Sequence, residues 1–492
     1  MSDRPMPPTW GRGMIEGTVA TGWSTMIVQG LGVLRTLLLA RLLVPPLFGI
    51  VALAEVFLSI GRQLQDFNFE AGLITRGERL PSTIVAHLIL RAAFALAVFG
   101  MLAVAAVGLR HWYDPRMGLV LLWFAGGSVV QALGSTPRAL LERTFRLASI
   151  ASVNVVSALV RLIIPVLLAW RGFGLTSLIA VSVLDMVVPA LGYWWCRPSR
   201  EFGRVAWGEI WEGMRWLLRF GAPLWMAGLL SNVFVLDNFL VGTFRGVEAL
   251  GFYALAFTLA RLPVQFIAHA VTKGTFPAFS THQRDRARLN ALFTLTYTIV
   301  VWGLVPLAAL AAVAAPELVQ LTIGAKWIPL IPVFRWLCVF TVLRGVQDLT
   351  VDFFVSQGKT AWFRNVLGLE AVVLVLIGPL SAWRWGPVGM AIAVDVMLGC
   401  GLPYLISHLR HVVGSGYWSA WRTPLIASLA GALAASGVVV WWPGRPLAWI
   451  LGAKLLIGTG VLGTVWWLLG RDQWQALRQG LKNLWRGEEV LV

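Results

Sequence analysis

The chain has 492 residues, of which 58% are hydrophobic and only 13% charged, with 40 Lys and Arg against 23 Asp and Glu. Soluble proteins carry about 25% charged residues, and disordered ones are poor in apolar residues, so both classes are excluded. What remains is an all-α polytopic membrane protein. Its basic excess serves orientation and contact with anionic membrane lipids, and no nucleic acid is implied.

Crossing a hydrocarbon core of about 30 Å takes about 20 apolar residues in a helix. The Pro-rich start up to Trp10 has no compact apolar core and does not read as a signal peptide. About fourteen transmembrane helices follow. They are read at 16–40, 47–69, 83–108, 117–137, 147–169, 173–195, 217–242, 249–272, 290–314, 328–356, 361–382, 387–408, 421–442 and 446–469. None shows the alternation of a barrel strand. The connectors are short, so no extramembrane domain is expected. Two basic stretches place apolar residues at helical spacing. One contains Phe202, Val205, Ile210, Trp211 and Met214; the other contains Trp474, Leu477, Leu481 and Leu484 among Arg478, Lys482 and Arg486. Both read as amphipathic helices at the cytoplasmic headgroups.

Lys and Arg crowd onto the two termini and the connectors after even-numbered spans. The opposite connectors hold only Arg41, Arg110, Arg116, Arg171, Arg245, Lys326, Arg384 and Arg445. This bias places both termini in the cytoplasm.

Residues 47–54 read LFGIVALA and residues 249–256 read ALGFYALA, so Gly49, Ala52, Leu53 and Ala54 match Gly251, Ala254, Leu255 and Ala256. The offset carries span 1 onto span 7, six spans later, which makes a parallel repeat about the membrane normal. The expected organisation is two six-helix lobes, 1–205 and 206–412, with two C-terminal helices and an amphipathic tail in 413–492.

Charges inside spans are costly and mark interiors or wet cavities. In span 1, Gln29 and Arg35 share a polar sector with Thr21, Ser24, Thr25 and Thr36. In span 2, Glu55, Ser59, Arg62 and Asp66 align, with Arg62 and Asp66 spaced to pair at i,i+4. Span 5 adds Asn154, Ser157 and Arg161. Asp237 and Asn238 close span 7, and Thr258, Arg261, Gln265, His269 and Thr272 form a stripe on span 8. Span 10 groups Arg344, Gln347, Asp348 and Asp352, with Arg335 turned elsewhere. Arg91 and Lys454 read as groups that snorkel or pair. Arg35, Arg62, Arg161, Arg261 and Arg344, with Gln29 and Gln265, are the substrate-binding candidates, because guanidinium presents a planar fork to phosphate oxygens. Glu55, Asp66, Asp237, Asp348 and Asp352 are the ion-coupling candidates. No P-loop or HExxH run is present, and Cys196, Cys338 and Cys400 lack metal-site or disulfide spacing. Neither an enzyme, a cofactor nor a metal is expected.

Several runs resemble Wzx-type polysaccharide flippases, the lipopolysaccharide and exopolysaccharide branch of the multidrug/oligosaccharidyl-lipid/polysaccharide exporter superfamily. They are LLLARLLVPPLFGIVALAEVFLSI (37–60), DNFLVGTFRGVEALGFYALAFTLARLPVQFI (237–267), FPAFS (276–280) and GAKW (324–327). Pro45–Pro46 stands where that family usually has Gly-Pro. The resemblance implies alternating access in a bacterial inner membrane. It implies a substrate of undecaprenyl-diphosphate-linked oligosaccharide, with a polymerase and glycosyltransferases of the same pathway as partners. The alternatives are an ion-coupled multidrug antiporter of the same fold and a membrane enzyme of polysaccharide assembly.

Overall fold

In the computed structural model, the described residues are 8–76, 80–197, 205–231, 235–283, 285–414, 416–442, 444–471, 474–475 and 478. Among them the fold is entirely helical. In chain order the helices are α1 (Pro8–Leu42), α2 (Pro45–Gln65), α3 (Phe69–Thr75), α4 (Leu80–Trp112), α5 (Pro115–Arg143), α6 (Leu147–Trp170), α7 (Leu175–Cys196) and α8 (Trp207–Ser231). There follow α9 (Leu236–Pro263), α10 (His269–Thr281), α11 (Arg286–Thr322), α12 (Leu330–Ser356), α13 (Thr360–Val413), α14 (Ser419–Trp441) and α15 (Leu447–Leu469). Twelve helical segments among the described residues are long and apolar enough to cross a membrane. Large apolar side chains such as Trp195, Val104, Leu376 and Leu456 stand exposed on them. In water such surfaces would drive aggregation; in a bilayer they meet lipid. The chain is a multi-pass membrane protein.

Local chemistry sets the helix starts. Pro45 opens α2 where its missing N–H is not needed, and Asp114 caps α5 by accepting the Arg116 N–H at 2.8 Å. Asp285 caps α11 in the same way through the Arg288 N–H. α13 spans 54 residues, or about 80 Å if straight, far more than a bilayer core. It is not straight. Gly386, at φ 61°, leaves the helical region, and the chain folds back on itself there. A Cβ on Gly389 would strike the Ser381 carbonyl, and one on Gly401 would strike the Glu370 carboxylate, so residues before the bend meet residues after it. α9 leaves the helical region likewise at Gly246, φ 80°. Only glycine occupies such angles without strain.

The described residues form two compact units. One lies within Met1–Phe239 and Gly246–Gly251, the other within Leu240–Arg245 and Phe252–Val492. In the first, α8 packs Ile210, Met214 and Leu217 against Phe69, Ala86 and Leu90. The amphipathic helix expected near residue 205 is therefore present from Trp207, but its apolar face meets protein rather than headgroups. Trp211 stays half exposed, and Phe202 lies outside the described residues. The C-terminal amphipathic segment, with Leu477, Leu481, Leu484, Lys482 and Arg486, also lies outside them, apart from Trp474 and Arg478. In the second unit, Lys454 of α15 gives its ammonium to Glu317 of α11 at 2.8 and 2.9 Å, both side chains being 6% exposed, and to the Val313 carbonyl. Lys454 therefore pairs and does not snorkel.

The internal repeat has a physical counterpart in the first unit. A Cβ on Gly49 would overlap the Val247 carbonyl oxygen, and a Cβ on Gly251 would overlap the Pro45 carbonyl oxygen. The two contacts exchange under the repeat offset, so equivalent turns meet backbone to backbone. Small residues are needed at such a crossing. Gly49→Val is expected to destabilise the protein by about 1–3 kcal/mol through overpacking. Gly22→Ala, with nothing within 4 Å of its new Cβ, is the silent control. Thermal midpoints in detergent measure both, and an unchanged midpoint for Gly49→Val would contradict the contact.

Candidate functional site

The first unit holds a polar cavity of about 470 Å³ lined by α2, α3, α4, α5 and α7. Its walls include Arg62, Gln63, Gln65 and Asp66 from the end of α2, and Glu70 from α3. Arg91 comes from α4, Gln131, Ser135 and Arg138 from α5, and Asp185 and Tyr193 from α7. Lining charges balance: three arginines face three carboxylates.

Each arginine is already engaged. Arg62 donates to Glu55 at 2.7 Å, and Glu55 also accepts from Ser182 of α7 at 2.9 Å. The pairing expected between Arg62 and Asp66 does not form. α2 ends at Gln65, and Asp66 sits beyond it with non-helical angles, so the i,i+4 geometry is lost. Asp66 instead accepts the Asn68 N–H and approaches Arg91 at 3.6 Å. Arg138 pairs with Glu142 at 3.1 Å along α5. Arg161 of α6 pairs with Asp185 of α7, and Arg35 of α1 lies within electrostatic range of both. Gln29, half-buried on α1, is not among the lining residues.

Arg91 differs from Arg62 and Arg138. It is 8% exposed and donates to the Ser135 hydroxyl at 2.8 Å, the Gln65 carbonyl at 3.2 Å and Glu70 at 3.4 Å. Each of its three nitrogens is bonded to the protein, so it ties α4 to α2, α3 and α5 and positions the others. Arg62 and Arg138 are 36% and 48% exposed as side chains, and each hydrogen-bonds a single carboxylate, with Glu70 also in electrostatic range of Arg138. Those two forks can turn toward an anion in the cavity.

The second unit carries a separate polar network. Asp348 of α12 accepts from Arg344 at 2.9 Å and contacts His269 of α10 at 3.3 Å. Thr272 hydrogen-bonds Asp352. The stripe read across span 8 does not run straight, because Val264–Ala268 forms a wider π turn after Pro263. One extra residue per turn shifts everything beyond it relative to Arg261. Arg261 is exposed on one side of that turn and Gln265 half-buried within it, while His269 faces α12. Arg335 is exposed and donates to the Ala312 carbonyl. Asp237 is buried at the start of α9 and accepts the Asn238 N–H at 2.6 Å.

Sequence reasoning thus found Arg62 and Asp66 of the cavity and missed Arg138, Glu70, Gln131 and Asp185. Asp185 is a lone acid in an apolar run, a signal that was available. Arg138 was hidden because α5 extends past its apolar stretch to Arg143.

The profile of a polysaccharide biosynthesis protein family matches residues 38–332. The chain is 25% identical over 425 residues to the lipopolysaccharide biosynthesis protein WzxC of Escherichia coli (strain K12), covering 82% of each. It is 21% identical over 441 residues to the teichuronic acid biosynthesis protein TuaB of Bacillus subtilis (strain 168), covering 88% of this chain and 90% of the relative. Among solved structures it resembles the lipid II flippase MurJ in an inward closed conformation, with TM-score 0.73, 14% identity, and coverage of 93% of this chain and 99% of that one. A multidrug resistance MATE family transporter of the MOP superfamily, outward-facing, gives TM-score 0.51 at 18% identity, covering 80% of this chain and 95% of that one. These structural likenesses establish the fold.

Replacing Arg91 with Ala is expected to cost about 1–3 kcal/mol, because the Ser135 hydroxyl and the Gln65 carbonyl lose a donor and the part-buried Glu70 loses a cationic partner. The loss should appear as reduced membrane abundance and a lowered thermal midpoint. Adding Glu70→Gln should restore part of it by removing the stranded charge. A midpoint unmoved by Arg91→Ala would remove Arg91 from this role.

Proposed function

The chain belongs to the polysaccharide biosynthesis protein family, and from that premise we propose that it is a flippase for undecaprenyl-diphosphate-linked oligosaccharide. It carries the repeat unit from the cytoplasmic to the periplasmic leaflet by alternating access, for lipopolysaccharide or exopolysaccharide synthesis. The observation that carries this reading is the polar cavity of about 470 Å³ enclosed by membrane-spanning helices, with Arg62 and Arg138 at its wall. A diphosphate cannot enter hydrocarbon unpaired, and a guanidinium fork is its natural partner.

The arrangement suggests how the anion is taken up. Arg62 and Arg138 rest on Glu55 and Glu142 until the substrate arrives. The phosphate oxygens replace those carboxylates, and the carboxylates turn to solvent or to neighbouring donors. Arg91 keeps the wall in register throughout. Arg35, Arg161, Arg261 and Arg344 are proposed to add positive field along the path, with Gln29 and Gln265 offering neutral donors to sugar hydroxyls. Glu55, Asp66, Asp237, Asp348 and Asp352 remain the proposed ion-coupling groups. The fold-back at Gly386, the break at Gly246 and the length of α8 fit fourteen crossings, in lobes 1–205 and 206–412 with 413–492 appended, and both termini in the cytoplasm of a bacterial inner membrane. A multidrug cation antiporter would call for a cavity with excess acid, and the balanced lining does not favour it. Polymerases and glycosyltransferases acting before and after the transfer are its proposed partners.

Alanine at Arg62 or Arg138 is expected to lower flipping per inserted molecule by about tenfold or more, since losing one partner of a desolvated pair costs about 2–5 kcal/mol. Lysine should restore part of the rate, because it keeps the charge and loses the fork. Alanine at Arg35, Arg261 or Arg344 should give smaller losses in the same direction. The measurement is polymer export normalised to membrane-inserted protein. Normal insertion with wild-type export for both Arg62→Ala and Arg138→Ala would contradict the reading.

A further inference from the structure

Behind the Arg344–Asp348 network lies a pair of buried side chains whose bonding is incomplete in a specific way. Gln347 of α12 is 3% exposed and Glu370 of α13 is fully buried. The Gln347 amide N–H donates to Glu370 Oε1 at 2.5 Å. The two atoms left over, Gln347 Oε1 and Glu370 Oε2, are both buried and have no partner among the described residues. In a carboxylate–amide pair both leftovers are acceptors, and neither can satisfy the other. A single proton on Glu370 Oε2 changes that. The acid then donates to Gln347 Oε1 while the amide donates to Glu370 Oε1, and one closed pair satisfies all four atoms. An ionised Glu370 would instead be a charge in hydrocarbon with one hydrogen bond. The charged groups that act on it are Arg344 and Asp348, and Arg344 is already bound to Asp348. The segment after the bend packs Gly401 against the Glu370 carboxylate and brings no charge at the contact.

We propose that Glu370 and Gln347 form a proton-binding site: Glu370 is held as the neutral acid in this conformation, and it releases the proton to water when the two arms of α13 part about Gly386. Two features of the fold bear on how water would reach the site. Gly401 seals Glu370 only because the chain folds back at Gly386, so the seal depends on a single bend. Glycine at 401 leaves no side chain between the arms, so a small separation admits water to the carboxyl. In chemical terms the step is one O–H bond broken on Glu370, with the proton passing to water and the carboxylate hydrated. The role in transport rests on the flippase reading; the protonation itself does not.

The test uses the full-length protein in proteoliposomes and two readouts. The first is infrared spectroscopy of the resting protein, in which a carbonyl band of a protonated carboxylic acid should persist at neutral pH and disappear in Glu370→Gln. The second is flipping of a fluorescent polyprenyl diphosphate carrying one sugar, with and without an imposed pH difference. Wild-type flipping should respond to a one-unit difference by up to about tenfold, as a one-proton step allows. Glu370→Gln mimics the loaded form, so it should insert normally, flip without a gradient and ignore the pH difference. If Glu370→Gln leaves the acid band intact, or responds to the gradient as wild type does, the proposal is wrong. If wild type flips no lipid while the band behaves as described, the flippase reading fails and the protonated pair stands.

Discussion

The cost of an ionised group in hydrocarbon governs this protein. Lys454 sits wholly inside the second unit only because both oxygens of Glu317 and a backbone carbonyl receive its ammonium. Arg91 is buried in the first unit on the same condition, with a hydroxyl, a carbonyl and a carboxylate around its fork. Such pairs add little net stability against an apolar replacement, but breaking one is severe. They therefore fix which helices are neighbours: α11 with α15, and α4 with α2, α3 and α5.

The same constraint separates holding from handling. A guanidinium with all three nitrogens engaged, as in Arg91, is part of the frame. A guanidinium with one carboxylate and a third or more of its surface open has bonds to exchange, and Arg62 and Arg138 are of that kind. A lining with equal positive and negative charge is stable while empty. The proposed uptake of an anion asks only that each carboxylate yield its place. A cavity lined with bare arginines would lack the first property.

How much of this was legible in the sequence differs from feature to feature. Most apolar runs lie within helices, and the break between runs 361–382 and 387–408 lies at Gly386, where glycine before Pro387 signals it, but run 217–242 straddles the end of α8 at Ser231 and the start of α9 at Leu236. The repeat of 47–54 at 249–256 was visible as letters, and its physical meaning is the reciprocal Gly49 and Gly251 crossing. Partner choice was poorly legible. Arg62 chose Glu55 over the better-spaced Asp66 because the helix stops one residue too early for Asp66. The span 8 stripe assumes a regular helix, and the π turn at Val264–Ala268 is a backbone event that side-chain periodicity does not encode. Glu370 is a single acid in an apolar run, and only the opposing Gln347 gives it significance.

The central claim is that carboxylates hold the cavity arginines in reserve for an anionic substrate. Equilibrium binding of a polyprenyl diphosphate to wild type and to Glu55→Gln tests it most directly, with the uncharged polyprenyl alcohol as reference. Removing the carboxylate frees Arg62 from a pair worth about 0.2–1 kcal/mol, so diphosphate affinity should rise by up to about fivefold while alcohol binding stays unchanged. Diphosphate affinity that is unchanged or weaker in Glu55→Gln would contradict the account.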